Sequence, residues 1–131
     1  MASTFAEVCE GVRATIAAYA QALDDGRGDD VVATFCDDGG CDIPGLGKLQ
    51  GADELRAGFS GWKPQVPMRH MVVNTLVTDW DDHEATTVSD VVVLAKGESK
   101  WSIAVVGRYT DTLHCDDGTW RFHHRAAEFL T

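Results

Sequence analysis

The second half of the chain consists of four long stretches rich in valine, threonine and aromatic residues, separated only by short polar turns. Residues of these types favour β-strands, and short turns join neighbouring strands in antiparallel pairs. The sequence therefore predicts an antiparallel meander with strands at roughly Arg69–Trp80, Glu84–Lys96, Lys100–His114 and Thr119–Leu130.

The N-terminal part of the chain has a helical pattern. From Phe5 to Leu23, apolar residues recur at steps of three and four, which is typical of a helix with one buried face. A glycine-rich acidic turn then breaks the pattern. Asp29 or Asp30 is a suitable N-cap for a short second helix that we expect to extend through Phe35.

The segment Gly40–Gly51 predicts two short strands around a Pro/Gly turn, and a third helix is expected from about Ala52 to Phe59. Helices that precede the sheet indicate an α+β fold. No repeat or linker composition divides the chain, so we expect a single domain over residues 1–131.

Charge and composition exclude several functional classes. The net charge is −10 at pH 7 and the basic residues form no stripe, which argues against nucleic acid and anionic lipid as partners. No stretch approaches the roughly 18 uninterrupted apolar residues of a membrane span. The first residues lack the features of a secretory signal, so a cytoplasmic location is expected.

The cysteines are too scattered to suggest a disulfide framework, and we expect free thiols. They are Cys9, Cys36, Cys41 and Cys115. Only Cys36 and Cys41 are close in sequence, and no second close pair accompanies them. The sequence therefore predicts no metal site, and nothing in it implies a cofactor.

Three stretches of the chain carry a resemblance to a known family. They are the helix end Tyr19–Asp24, the turn Ile43–Gly47, and the final strand pair with Gly107–Asp111, Asp117–Phe122 and Arg125. In order and spacing they resemble the SnoaL-like group of the NTF2-like superfamily. The resemblance implies a cone in which three N-terminal helices pack on a strongly curved, mainly antiparallel sheet.

The resemblance alone leaves the function open. This family includes bile-acid dehydratases, scytalone dehydratase-like enzymes, a hexachlorocyclohexane dehydrochlorinase, polyketide cyclases, steroid isomerases and non-catalytic subunits of ring-hydroxylating oxygenases. Because one fold serves many chemistries, the function must be argued from individual side chains.

His70 and Asp24 are the first candidates for catalysis. Strand alternation predicts that His70 shares one face with Val72, Asn74, Leu76 and Thr78. From the residues alone, His70 could be a structural hydrogen bonder and Asp24 a turn aspartate. The resemblance implies that His70 is the catalytic base and that Asp24 orients it. We therefore hypothesise that Asp24 accepts a hydrogen bond from one ring nitrogen while the other faces substrate.

Tyr19 lies on the buried face of the first helix, where simple core packing is an open alternative. The resemblance implies a site residue, because bile-acid dehydratases also have tyrosine at this place and the dehydrochlorinase has lysine. A phenol can donate a proton or hydrogen bond to departing hydroxide, which chloride does not need. Tyr19 therefore favours elimination of water over elimination of halide.

Asp90 interrupts an apolar strand and needs a partner, for which Arg125 on the last strand is a plausible counter-charge. A purely structural ion pair is an open alternative. The resemblance implies polar pocket positions for both residues, with Arg125 binding an oxyanion or a leaving group. Asn74 and Trp62 are further candidates for substrate binding, although tryptophan commonly packs in a core or an interface.

Together these features predict a small-molecule lyase, a dehydratase or a cyclase, that acts on a polycyclic or aromatic substrate in an apolar pocket. One alternative is a non-catalytic ligand-binding or oligomerisation module. Another is halide elimination or isomerisation by the same two residues. Strands that are apolar on both faces also predict a homodimer or a homotrimer, with a second subunit covering the outer face of the sheet.

Overall fold

The computed structural model describes residues 2–130, so Met1 and Thr131, the ends of the predicted domain, lie outside the described range. Three helices are present: α1 (Phe5–Asp24), α2 (Gly28–Ala33) and α3 (Ala52–Phe59). The strands are β1 (Phe35–Ile43), β2 (Gly47–Gln50), β3 (Met68–Trp80), β4 (Glu84–Lys96), β5 (Trp101–Cys115) and β6 (Trp120–Leu130).

The six strands form one sheet in the order β2-β1-β6-β5-β4-β3. The pair β1–β6 is parallel and the other pairs are antiparallel. The predicted α+β class and the β3–β6 meander are therefore confirmed. The helices pack on one face of this sheet, and the main hydrophobic core lies between them and the sheet.

Helix α1 begins at a capping box, in which the Thr4 side chain accepts from the backbone N–H of Glu7 and the Glu7 carboxylate accepts from the backbone of Thr4. Its apolar face, which includes Val12 and Ile16, is buried in the core. The Thr15 hydroxyl donates to the carbonyl oxygen of Trp120 at 2.6 Å. These contacts fix α1 along the sheet and thereby position Asp24, its last residue.

The junction between α2 and β1 differs from the sequence prediction. Helix α2 ends at Ala33, and Phe35 begins β1 instead of continuing the helix. The N-cap is Arg27, so Asp29 and Asp30 lie in the first turn and neither one caps the helix. Tertiary contacts explain the change, because the ring of Phe35 packs in the core and its backbone lies in register with Phe122 of β6.

Strand β3 contains an irregularity that sequence alternation does not predict. Asn74 has a φ of 56°, and the register with β4 shifts between Val73 and Leu76. As a result, His70 and Val72 are partly buried while Leu76 is 66% exposed. The prediction that the alternate residues His70, Val72, Asn74, Leu76 and Thr78 share one face is therefore wrong beyond Val72, because the bulge at Asn74 reverses the alternation.

Gly28, the first residue of α2, lies where α2 meets the end of α3. A Cβ atom added at this position would overlap the Phe59 carbonyl oxygen. We expect Gly28→Ala to lower the free energy of unfolding by about 1–3 kcal/mol in urea titrations, since backbone must move to relieve the overlap. At Gly97 an added Cβ would lie 3.6 Å from its nearest neighbour, so Gly97→Ala is the matched control. Equal unfolding midpoints in the two variants would contradict the close approach.

Candidate active site

His70 and Asp24 are in direct contact. The Nδ1 atom of His70 lies 2.7 Å from Oδ1 of Asp24, and the two side chains are 12% and 6% exposed. The backbone N–H of His70 also donates to the same carboxylate, at 2.9 Å to Oδ2 and 3.1 Å to Oδ1. The hydrogen bond that we hypothesised is thus present, and the catalytic role of the pair stays a prediction.

This arrangement fixes the tautomer of the imidazole. An ionised carboxylate only accepts hydrogen bonds, so the proton of a neutral His70 lies on Nδ1 and the lone pair lies on Nε2. The carboxylate also stabilises the imidazolium that forms when Nε2 takes up a proton. The pair has the properties of an oriented general base.

A carboxylate at the end of α1 faces the negative pole of the helix dipole, and the last turn of α1 contains no basic residue. The donors of His70 offset this cost. One residue earlier, the Leu23 carbonyl accepts a hydrogen bond of 2.9 Å from the Trp62 indole nitrogen. Trp62 packs against the core and braces the helix end, which agrees with the packing alternative, and its role in substrate binding stays a prediction.

A cleft of about 600 Å³ runs between α1 and β3, with His70 in its wall. Its neighbours in the cleft include Ile16, Ala17, Ala20 and Val72. A larger cleft of about 880 Å³ lies elsewhere, among α2, α3, β1 and the β5–β6 turn, and five aspartates line it. We place the candidate site in the smaller cleft, since only that one of the two contains the oriented base; Tyr19 and Arg125 are buried in the core and do not line it.

Tyr19 lies inside the aromatic core between the helices and the sheet. Its ring makes edge contacts with those of Phe35, Phe59, Tyr109 and Phe122, at centroid distances of 5.7–6.4 Å. Burial strongly raises the pKa of its phenol, with a smaller contribution from Tyr109. The group is therefore a hydrogen-bond donor that stays protonated. Its placement agrees with core packing, and its assistance to a leaving group stays a prediction.

Arg125 pairs with Asp111, not with Asp90 as the sequence suggested. Its Nε donates to Oδ1 of Asp111 at 2.9 Å and its Nη2 donates to Oδ2 at 3.2 Å, with both side chains fully buried. Burial raises the pKa of Asp111, and Arg125 opposes that shift. Burial lowers the pKa of Arg125 and is the largest single effect. The charges of Asp111, Tyr109 and Tyr19 together raise this pKa by more, so the net shift is upward.

Asp90 lies on the outer face of the sheet, where it accepts hydrogen bonds of 2.9 Å from Asn74 and 2.9 Å from Arg108. These bonds, that from Asn74 first, lower the pKa of the Asp90 carboxyl. The predicted pair of Asp90 with Arg125 is wrong because register places Asp90 opposite Arg108, whereas Arg125 lies opposite Asp111. The Asn74 and Asp90 side chains therefore bind each other on the face opposite the Arg125–Asp111 pair.

Sequence reasoning missed several polar residues of the inner sheet face. Tyr109 and Asp111 lie two positions apart on β5, as Thr87 and Ser89 do on β4, so each pair shares the buried face of the sheet. The Arg125 guanidinium lies 3.5 Å from the centroid of the Tyr109 ring. Burial raises the pKa of Tyr109; Arg125 opposes that shift, and the charges of Asp111 and Asp24 add to it. Tyr109 and Asp111 both belong to the stretch Gly107–Asp111, and their spacing of two residues is the signal in the sequence that could have identified them.

Among residues 2–130, no helix combines the length and apolar character needed to cross a membrane. Within the same range, no three His, Cys, Asp or Glu side chains are grouped so that they could hold a metal ion.

A family model described as the SnoaL-like domain matches residues 6–126. The chain therefore belongs to the SnoaL-like domain family. No curated protein sequence matches it.

Solved structures of similar proteins agree with this assignment. A variant of Rv3472, a protein of unknown function from Mycobacterium tuberculosis, is 25% identical with a TM-score of 0.83, covering 93% of this chain and 71% of that one. A candidate scytalone dehydratase from Novosphingobium aromaticivorans is 21% identical with a TM-score of 0.81, covering 94% and 84%. LinA is 19% identical with a TM-score of 0.78, covering 95% and 86%.

An NTF2-like protein with a cystatin-like fold from Novosphingobium aromaticivorans is 20% identical, with a TM-score of 0.80 and coverage of 92% and 80%. The predicted NTF2-like fold is thus confirmed. Identities this low carry the fold and leave the chemistry to be argued from the site.

Proposed function

We propose that the protein is a small-molecule lyase that needs no cofactor and eliminates water from a hydroxylated polycyclic or aromatic carbonyl compound. The observation that carries this proposal is the 2.7 Å contact between His70 Nδ1 and Asp24, which leaves Nε2 as an oriented base. The apolar neighbours of His70 in the cleft between α1 and β3 favour a hydrophobic ligand.

In the proposed reaction, Nε2 of His70 removes a proton from the carbon beside the carbonyl group. The electron pair of the broken C–H bond is first delocalised onto the carbonyl oxygen as an enolate, and it then forms a carbon–carbon double bond as the C–O bond to the hydroxyl group breaks. The departing hydroxide accepts a hydrogen bond from Tyr19 and takes up the proton held on Nε2 of His70, so that water leaves and the neutral base is restored. Arg125 stabilises the negative charge that develops on the carbonyl oxygen.

A module that only binds ligands or other subunits does not require an oriented base. The Asp24 carboxylate accepts hydrogen bonds from both the ring and the backbone N–H of His70, and this arrangement therefore favours the lyase over this alternative. Elimination of halide by the same pair is the closer alternative, since chloride leaves without protonation. The two reactions differ in their leaving group, and an assay of the released group distinguishes them.

The function can be tested on a panel of aromatic and polycyclic β-hydroxyketones, with absorbance of the conjugated product as the readout, and on chlorinated analogues, with chloride release as the readout. We expect Tyr19→Phe to lower the rate of water elimination by about 10²–10³-fold, because the loss of one hydrogen-bond donor to a developing oxyanion has this magnitude. Chloride release should change little.

Tyr109→Phe is the matched control, because it removes the hydroxyl group of another buried tyrosine in the same aromatic cluster. Equal losses in the two variants would contradict a specific role of Tyr19. If the wild-type protein turns over neither set of compounds, the lyase proposal fails.

We infer that a second copy of the chain covers the outer sheet face, giving a homodimer or a homotrimer. Large apolar side chains are exposed there on β3 and β5, the two strands that flank β4, and such a composition is typical of interfaces. They are Met71, Val73, Leu76, Trp101, Ile103 and Val106.

Ile103→Glu should shift the protein from dimer or trimer to monomer, because it places a charge within this apolar surface. Ile103 is 66% exposed in the single chain. Sedimentation equilibrium measures the change. Val66→Glu is the control, since Val66 is also exposed but lies in the loop before β3. A monomeric wild-type protein would contradict the inference.

A further inference from the structure

Arg125 holds an unpartnered hydrogen-bond donor inside the protein. A guanidinium group has five N–H groups. Asp111 accepts one from Nε and one from Nη2. Within residues 2–130, Nη1 of Arg125 is the one buried side-chain nitrogen or oxygen atom that lacks a hydrogen-bond partner. Because an unpaired buried donor destabilises the fold, this atom points to an acceptor that binds there.

The direction of Nη1 is fixed by its surroundings. The guanidinium carbon lies 3.5 Å from the Tyr109 ring centroid and 4.4 Å from the centroids of Tyr19 and Phe122. Asp111 is itself held by Thr87, whose hydroxyl donates to Oδ2 at 3.4 Å. The group cannot turn without breaking these contacts, so its free donor is already oriented.

We propose that Asp111 is the positioning residue of Arg125 and that the pair offers Nη1 to a single oxygen atom of an uncharged ligand, a carbonyl or hydroxyl oxygen. The inference rests on the proposed function, in which Arg125 faces the negative charge that develops during elimination. Beyond that function, it assigns the positioning role to Asp111 and requires a ligand that carries no charge.

Charge balance supports an uncharged ligand. Asp111 already neutralises Arg125 and occupies the Nε–Nη2 edge, which is a geometry suited to a carboxylate. Asp24 adds a further negative charge on the His70 side of the site. A carboxylate ligand would therefore meet net repulsion, whereas proton transfer from a neutral ketone to His70 creates a cation and an oxyanion together and leaves the total charge unchanged.

The ligands for the test share one ring system: acetylnaphthalene, naphthalene and naphthoate. Isothermal titration calorimetry gives the affinity of each for the wild-type protein. We expect acetylnaphthalene to bind at least about tenfold more tightly than either of the others, since a hydrogen bond to a charged donor is worth a factor of this size.

Asp111→Asn should invert the preference. The variant removes the negative charge and one acceptor, so the Arg125 guanidinium becomes available to a ligand carboxylate. The affinity for naphthoate relative to acetylnaphthalene should rise by at least about tenfold. A merely structural role of Asp111 would lower the affinities for all three ligands together.

The double variant Arg125→Met/Asp111→Leu keeps the test decisive if Asp111→Asn does not fold, because it leaves no unpaired buried charge. In this variant acetylnaphthalene should bind no better than naphthalene. If the wild-type protein binds acetylnaphthalene and naphthalene equally, Nη1 serves an internal water molecule and the inference is overturned. Ligand preference without turnover would refute only the lyase, and turnover without ligand preference would refute only this inference.

Discussion

Asp24→Asn should abolish turnover while leaving the protein folded. The amide oxygen of the new side chain can take the place of Oδ2 and still accept from the backbone N–H of His70, but the amide nitrogen then takes the place of Oδ1 and donates to Nδ1 where the carboxylate accepted. The imidazole proton then moves to Nε2 and the base is lost. We expect kcat to fall by about 10³–10⁴-fold, the effect of the wrong tautomer in an oriented histidine.

The tautomer can be observed without a substrate. Nitrogen chemical shifts of the His70 ring should show a protonated Nδ1 in the wild-type protein and a protonated Nε2 in the variant. Asp25→Asn is the control, since Asp25 is the adjacent carboxylate, is 56% exposed and pairs with Arg27. Full activity in Asp24→Asn, or the same tautomer in both proteins, would rule out the proposed role of Asp24.

The predicted elements that agree with the structure are those in which local pattern and packing require the same conformation. The steps of three and four in α1, and the short turns between β3 and β6, are local properties of the sequence. The end of α2 was wrong because Phe35 is drawn into β1 by its contacts with the rings of Phe59 and Phe122. Such contacts depend on residues distant in sequence, which a local pattern does not contain.

The candidate site likewise depends on contacts between residues that are distant in sequence, which a local pattern does not predict. His70 and Asp24 are separated by 46 positions, and their contact was expected only because the family resemblance supplied it. Asp90 was assigned to the wrong partner because β4 is apolar on both faces around it, so the sequence does not reveal which residues point inward. An outer face that is itself apolar removes the alternation on which that assignment depends. The bulge at Asn74 hides the same information in β3.

Arg125→Met should destabilise the protein by about 3–5 kcal/mol, because it leaves the Asp111 carboxylate buried without a counter-charge. Asp111→Leu should cost a similar amount by leaving Arg125 unpaired. The double variant should be more stable than either single variant, since neither charge remains in the core. Urea unfolding measures all three.

The surface pair Arg121–Asp117 provides the control for this cycle. Its side chains are partly exposed and lie 3.0 Å apart, so Arg121→Met should cost no more than about 1 kcal/mol. If the two core variants are additive, the buried charges do not depend on each other and Asp111 does not hold Arg125. If the double variant recovers stability but binds no ketone, the pair is retained at a cost to the fold because ligand binding requires its free donor.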